Sequence, residues 1–345
     1  MSNSDLTIRI EGRVGYITLT RPKVLNAVNE AIVDGMTEAM TRWADDPAIS
    51  LVMVDSDSER AFSAGGDLSA MYEHGRAGQF DAGNAFWRDE YRLNAMIAHY
   101  PKPYVAFMDG IVMGGGVGLS AHGSHRIVTE HSVVAMPECS IGLITDVGGT
   151  YLLHQAPSHL GEYLGLTGTR MNGADAIYAK LADHYVEREK LAALKARLIE
   201  TGDATVISEF SSTPPTSVFA ERQSEIDHAF SGETVHDITD RLSTLSSEWA
   251  VKALEAIRRG SPISLQATLK AIREADTLEI GIRNEYRFVS RVLEHGDFIE
   301  GIRAVIVDKD RNPRWKYAGL DDVPRELLAL MMQEAEGGDL LLPAR

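Results

Sequence analysis

The sequence predicts an α/β architecture over roughly its first half, followed by a helical C-terminal portion, and three features predict it. Short apolar strands alternate with helical stretches up to about residue 186. Beyond that point strand signals largely disappear and helical patterns follow one another. Two glycine-rich turns stand between strands and helices, where a backbone without Cβ atoms can approach a ligand and leave unpaired amides at a helix start.

In chain order, Ile8 and Ile10 alternate with polar residues, Glu11-Gly12-Arg13 can turn, and Ile17 and Leu19 resume the alternation, which predicts a hairpin. Ile32, Val33, Met36, Met40 and Trp43 recur at three- and four-residue spacing and predict a helix from about Asn26 to Trp43. Leu51 to Val54, Tyr104 to Met108, Ile127-Val128 and Val133 to Ala135 read as strands. Helical stretches lie between them, one from Phe86 to Ala98 and one starting at the glycines near 115. The run Ser211-Ser212-Thr213-Pro214-Pro215-Thr216 predicts a loop. Ser261-Pro262 fits an N-cap and first-turn proline, opening a helix through Ile263, Leu265 and Leu269, and another helix is expected from about Leu278 to Leu293. No internal repeat or low-complexity segment is present. The expected division is residues 1–186 as the α/β part and 187–345 as the helical part.

The 345 residues allow one large domain or two modest ones. A composition of 44% hydrophobic and 24% charged residues is ordinary for a globular protein. With 50 Asp and Glu against 34 Lys and Arg, the net charge of −16 repels nucleic-acid backbones, so no nucleic-acid partner is expected. A phosphate-bearing ligand must therefore be met by local cations or main-chain amides. The single cysteine, Cys139, excludes an internal disulfide framework and fits a reducing compartment. Met1 to Asp5 has no signal pattern, and the glycine-rich run Ile111 to Ala121 is too short to span a bilayer. A cytoplasmic protein with no membrane partner is expected.

The first glycine turn is Phe62-Ser63-Ala64-Gly65-Gly66-Asp67, and the second is Met113-Gly114-Gly115-Gly116-Val117-Gly118. Amides at such turns cradle phosphates or stabilise oxyanions. A dinucleotide fingerprint fails because position 119 is Leu119, and no phosphate-loop Gly-Lys step occurs nearby. A serine-hydrolase elbow around Ser120 fails at His122. Taken alone, each run is as readily a tight turn as a site.

Glu138 closes an apolar strand and Asp146 follows eight residues later, before Gly148-Gly149. Two carboxylates flanking a short loop can face one cleft as base and acid, although solvated loop charges are the plainer reading of spacing alone. Glu90 shares a helix face with Phe86, Leu93 and Ile97, so its carboxylate must be paired, neutral or aimed into a cavity; an arginine partner is the plainer reading. His122 and His125 lack a third ligand at metal spacing and read as structural, as does Cys139. Asp308, Asp310 and Asn312 imitate the start of a calcium loop, which Pro313 and Gly319 break. No metal is expected.

Together these segments resemble the enoyl-CoA hydratase/isomerase, or crotonase, superfamily. Thr20 to Ala27, the Phe62–Asp67 turn and the Gly114–Gly116 turn fall in that family's order and spacing. The run from Pro101 through Ser120, Met136-Pro137-Glu138 and Asp146 to Gly149 is similar to the 3-hydroxyisobutyryl-CoA hydrolase branch. So are Asn284 to Arg287, His295 to Phe298, Glu300 to Ala304 and Asp308 to Trp315. The resemblance implies a crotonase-like (ClpP/crotonase) spiral of ββα units with a helical C-terminal region. It implies an acyl-CoA substrate whose thioester oxygen is held by the N–H groups of Gly66 and Gly115. Glu138 is then the principal catalytic carboxylate, Asp146 its partner, and Glu90 a contact near the substrate's 3-hydroxyl. Lys23, Leu25 and Ala64 lie along coenzyme A, which is part of the substrate, so no separate cofactor is implied. Homo-oligomers formed through C-terminal helices are common in the superfamily. One departure is Thr145, where the hydrolase branch often has proline, and it bears on the rigidity of that loop.

Hydratases of the superfamily use two glutamates on one water, and the place of the first is Gly118, which cannot move a proton. Asp146 adds a carboxylate where hydratases commonly have glycine. Hydrolysis of a short branched 3-hydroxyacyl-CoA, in valine breakdown, is therefore the expected activity, with Glu138 as general base or as nucleophile. An enoyl-CoA hydratase or isomerase is the first alternative, and a non-catalytic acyl-CoA binder the second.

Overall fold

The computed structural model describes residues 2–3 and 5–342. Ten strands form two sheets among the described residues. In the larger, β1 (Ser2–Asn3), β2 (Leu6–Glu11) and β3 (Val14–Leu19) run antiparallel, followed by β4 (Leu51–Ser56), β6 (Tyr104–Met108), β8 (His125–Val128) and β10 (His184–Tyr185) in parallel. The smaller sheet holds β5 (Ala61–Ser63), β7 (Ile111–Met113) and β9 (Val133–Ala135), all parallel. Each larger-sheet strand of the pairs β4–β5, β6–β7 and β8–β9 is followed by one in the smaller sheet, so the chain winds as the expected spiral of two-strand units.

The hairpin forms as predicted, with Ile8 opposite Ile17 and a two-residue loop in which Gly12 takes φ 58°. Leu51 to Val54 and Tyr104 to Met108 are buried throughout, because the parallel sheet is covered on both faces. Val52, Val54 and Ala106 belong to the main core, while Leu51, Met53, Val105 and Phe107 pack with Leu191, Leu194 and Leu198 of a later helix. The three-residue strands β5 and β7 carry too few residues to show a period, and the sequence reading did not separate them from the glycine turns they precede.

Four helices belong to the front of the chain: α1 (Glu30–Ala44), α2 (Leu68–Arg76), α3 (Phe80–Ala98) and α4 (Gly115–Ser120). The helix expected from Asn26 starts only at Glu30, capped by the Asn29 side chain on Ile32 N. Asn26 is pulled out of helical geometry, at φ 53°, because its buried amide accepts from Arg21 N at 2.7 Å and donates to Phe62 O at 3.0 Å. α3 begins six residues before the expected Phe86; Gly83 within it lies against Leu293, where a Cβ would approach a methyl carbon to 2.6 Å.

Behind the site follow α5 (Gly149–His154), α6 (Leu160–Thr167) and α7 (Gly173–Tyr178). After β10 come α8 (Leu191–Thr201), α9 (Ile207–Phe210), α10 (Val218–Phe230), α11 (Val235–Ser243) and α12 (Glu248–Arg259). α13 (Pro262–Glu274), α14 (Leu278–His295), α15 (Phe298–Ile302) and α16 (Arg325–Met331) complete them. The Ser261 hydroxyl caps α13 with Pro262 in its first turn, as the sequence indicated. One apolar cluster runs across residue 186: it joins Leu19, Ala106 and Val134 to Ile263, Val289 and Phe298. No helix among the described residues is long and apolar enough to cross a membrane.

The two parts of the chain meet tightly at Gly301 in α15, where a Cβ would stand 2.0 Å from Ile141 O. Replacing Gly301 with alanine should therefore lower stability by roughly 1–3 kcal/mol through overpacking. Gly66→Ala, where a Cβ meets nothing within 4 Å, should melt near wild type. Thermal melts of both variants check this contrast, and equal transitions would refute it.

Candidate active site

A turn of three residues, Pro22–Val24, sets up the first wall. Leu25 and Asn26 follow at left-handed φ values of 53°, and the strip from Leu25 to Val28 then pairs with the first glycine turn. Ala64 N donates to Leu25 O at 2.9 Å, Val28 N to Gly65 O at 2.8 Å and Asp67 N to Val28 O at 2.8 Å. The Ser63 hydroxyl donates to Asn26 O at 2.8 Å. These bonds use the neighbours of Gly66 and leave its own N–H without an acceptor among the described residues. The Gly115 N–H, at the first position of α4, is equally unpaired there.

The second turn meets the first at very short range. Gly114 has φ 47° and ψ −119°, a conformation closed to residues with a side chain. A Cβ on Gly114 would lie 2.9 Å from Glu138 Oε1; one on Gly115 would lie 2.9 Å from Glu90 Oε1 and 3.4 Å from Gly66 N. Two unpaired amides and two carboxylates therefore converge on one point. They line a cavity of about 90 Å³ together with Ala64, Asp146, Trp87 and Phe298. Trp87 and Phe298 face each other there with ring centroids 5.9 Å apart.

Of the residues singled out in the sequence, Gly66, Gly115, Glu90, Glu138, Asp146 and Ala64 are brought together in this cavity. Lys23 is exposed on its turn and Leu25 touches the site only through Ala64, so neither lines the cavity. The arginine partner read as the plainer fate of Glu90 is absent: Glu90 is 2% exposed and its Oε1 has no hydrogen-bond partner. Glu138 and Asp146 are likewise buried, not solvated loop charges.

The electrostatics follow from dryness. Burial, and then the charge of Asp146, hold the Glu90 and Glu138 carboxyls well above the usual carboxylate range. Burial pushes Asp146 up to about 7, against the hydrogen bond that the Tyr91 hydroxyl donates to its Oδ2 at 2.9 Å. Such a set shares protons readily near neutrality, as acid–base work on one substrate requires.

The turn that presents Asp146 is strained. Val147 has φ 55°, an uncommon conformation for a β-branched residue, and Gly148 follows at φ 75°. Gly149 N closes the turn on Asp146 O at 2.7 Å. His122, which burial pushes down to about 4 and so keeps neutral, bonds Val147 O through Nε2 at 2.7 Å. Glu285, from α14, accepts from Gly148 N at 2.7 Å, Thr150 N at 2.9 Å and the Thr150 hydroxyl. Burial pushes Glu285 up to about 8 against these donors. The N–H of Thr145 donates to Thr268 Oγ1 at 3.2 Å, a bond proline could not make.

His122 and Cys139 are structural, the latter donating to Thr268 Oγ1 at 3.3 Å, with burial pushing its thiol up to about 12. The Asp308 and Asp310 carboxylates pair with Arg303 Nη1. Among the described residues no group of three or more His, Cys, Asp or Glu could hold a metal ion.

The sequence reading gave no role to Tyr91 or Glu285. Glu285 nevertheless carries the signal that singled out Glu90, since it stands on one α14 stripe with Leu278, Ile282, Val289 and Val292. Tyr91 offers no comparable signal, because a tyrosine in a buried helix face is ordinary.

A profile of the enoyl-CoA hydratase/isomerase family matches residues 14–332. The chain is 39% identical to the mitochondrial 3-hydroxyisobutyryl-CoA hydrolase of Gallus gallus, over 99% of this chain and 92% of that one. It is 36% identical to 3-hydroxyisobutyryl-CoA hydrolase 1 of Arabidopsis thaliana, over 100% of this chain and 96% of that one. A solved structure described as an enoyl-CoA hydratase from Rhodobacter sphaeroides 2.4.1 superposes with a TM-score of 0.95 at 43% identity, covering 98% of this chain and 100% of that one. Another, described as a carnitinyl-CoA dehydratase from Mycobacterium thermoresistibile, gives 0.93 at 42% identity, covering 97% and 98%.

The raised Asp146 value carries a stability consequence. Because the folded value, about 7, exceeds the ordinary 3.8, this group's contribution is complete below about pH 4 and is lost as pH rises through 7. Asp146→Asn, which keeps an acceptor for Tyr91, should escape that loss. Its advantage over wild type in thermal melts should grow from pH 5 to pH 8, reaching on the order of 1–3 kcal/mol. A difference that stays constant with pH would contradict the assignment.

Proposed function

The chain belongs to the enoyl-CoA hydratase/isomerase family, and within it we propose that it hydrolyses 3-hydroxyisobutyryl-CoA, a short branched 3-hydroxyacyl thioester, to the free acid and coenzyme A. The observation that carries this reading is the meeting of two unpaired glycine amides with the buried Glu138 and Asp146 in one cavity. Relatives named as that hydrolase, matching almost end to end, support the substrate.

In the proposed reaction the thioester oxygen lies between the N–H groups of Gly66 and Gly115, which stabilise it as charge develops; losing one such donor typically costs about 3 kcal/mol. Glu138 in its ionised form takes a proton from the water that attacks the carbonyl carbon, or attacks that carbon itself, in which case water frees it only after the thiolate has left. The carbon–sulfur bond then breaks, and Asp146 in its protonated form supplies the proton to the departing thiolate. Glu90, kept neutral by burial, faces the 3-hydroxyl. Lys23, Leu25 and Ala64 follow the coenzyme A toward the surface. A cavity of about 90 Å³ suits a short acyl group.

Geometry also bears on the hydratase alternative. A Cβ at Gly118, where a hydratase carries its first glutamate, would lie 2.7 Å from Val147 Cβ and 2.9 Å from Asn94 Nδ2. That space is filled, so a glutamate at position 118 is excluded in this packing.

Cytoplasmic location is part of the proposal, resting on the buried Cys139; vertebrate relatives are mitochondrial by name, and cell fractionation decides between them. Self-association is also proposed from the family reading, and sedimentation velocity reads it.

Free-thiol release from 3-hydroxyisobutyryl-CoA tests the activity, and an enoyl-CoA hydrated without thiol release would reverse it in favour of a hydratase. Binding of short acyl-CoAs without turnover would instead identify a binder. Glu138→Gln should lower kcat by about 10²–10⁴-fold at unchanged fold. Single turnover in oxygen-18 water then probes the role of Glu138: label in its carboxylate shows an anhydride opened at the glutamyl carbon, and hydroxylamine trapping of the acyl-enzyme reports one opened at the acyl carbon, while neither signal supports the general-base route.

A further inference from the structure

Glu285 is fully buried, lies outside the cavity lining, and has no part in the reaction as written above. Its surroundings are nonetheless specific. Oε2 accepts from Gly148 N at 2.7 Å, and Oε1 accepts from both Thr150 N at 2.9 Å and the Thr150 hydroxyl. Three donors thus come from Gly148 and Thr150, just after the left-handed Val147, and they reach both oxygens of one side chain.

We propose that Glu285 is a positioning residue: its carboxylate clamps the Asp146–Thr150 turn and so holds the Asp146 side chain in the cavity beside Glu138. The proposal rests on the hydrolase reading for its effect on rate, while the clamp itself is a property of the fold.

The chemistry of the side chain argues for this role over simple filling. Burying a carboxylate without a cation is costly, and an apolar residue would pack α14 against α5 at lower cost. Two acceptor oxygens with no donor are what the site demands. A glutamine of the same shape would have to turn its NH₂ toward either the Gly148 N–H or the Thr150 pair, losing one side of the clamp. The turn needs such a hold because Val147 sits at φ 55°, and the one local bond across it is that of Gly149 N to Asp146 O. His122 secures Val147 O and Tyr91 secures the Asp146 carboxylate, so Glu285 supplies the remaining, main-chain restraint on the far side of the turn. By this account a helix well beyond residue 186 sets the geometry of a carboxylate near residue 146.

The test compares full-length wild type, Glu285→Gln and Thr150→Val by thiol-release kinetics, thermal melts and amide hydrogen exchange. Glu285→Gln should lower kcat by about 10–100-fold with KM within about threefold, since a displacement near 1 Å costs that much and the binding amides lie elsewhere. Exchange over 145–152 should quicken by about tenfold or more while β4 and β6 stay as in wild type. A kcat within about twofold of wild type, or quickening spread evenly over the molecule, overturns the proposal. Should Glu285→Gln fail to fold, Thr150→Val removes one of the three donors and should show the same local quickening with a kcat lowered by about two- to fivefold; unchanged kcat and exchange overturn it. If wild type releases no thiol, the hydrolase reading falls and exchange alone decides the clamp, local quickening supporting it and uniform or absent change refuting it.

Discussion

Everything in this site depends on carboxylates being kept dry without a cation. Glu90, Glu138, Asp146 and Glu285 are all fully or almost fully buried, and burial is the first cause of the upward push on each. Such groups persist only if they hold protons or receive hydrogen bonds. The structure divides them accordingly. Glu285 is saturated with main-chain and hydroxyl donors, Asp146 has Tyr91, and Glu90 keeps Oε1 and Glu138 keeps Oε2 without a partner. The unsatisfied members are those assigned to meet substrate, and the satisfied one is assigned to hold the frame.

The glycines follow from the same constraint. Beside the two carboxylates the backbone of the second turn comes so close that a methyl group at 114 would meet Glu138 Oε1 and one at 115 would meet Glu90 Oε1, while one at 66 would meet nothing. Gly118 belongs to a different contact, with Val147 and Asn94.

Much of this was legible in the sequence, for physical reasons. Buried parallel strands such as Leu51–Val54 advertise themselves as unbroken apolar runs, and a carboxylate in an apolar helical stripe marks Glu90. The joint order of the glycine turns, Glu138 and Asp146 carried the family. Other features were not legible. Asn26 looks like a helix start, and only its long-range bonds to Arg21 and Phe62 draw it out of the helix. The same holds for Glu285: its stripe on α14 is readable, but the Gly148 and Thr150 amides it serves lie more than 130 residues away in the chain. Strands as short as β5 and β7 exist because neighbours pair with them, not because of their own composition.

The tight seat of Gly301 against Ile141 O also limits how the chain can be rearranged by recombination. A chimera that joins the front of this protein to the back of a relative must bring a matching pair at that seat, together with the Ser261–Cys139 bond of 2.9 Å beside it. Exchange of gene segments between members of this family therefore favours crossovers that move both sides of the contact at once, and the strand-bearing and helical parts are inherited as a unit even though hundreds of ångströms of contour length lie between them.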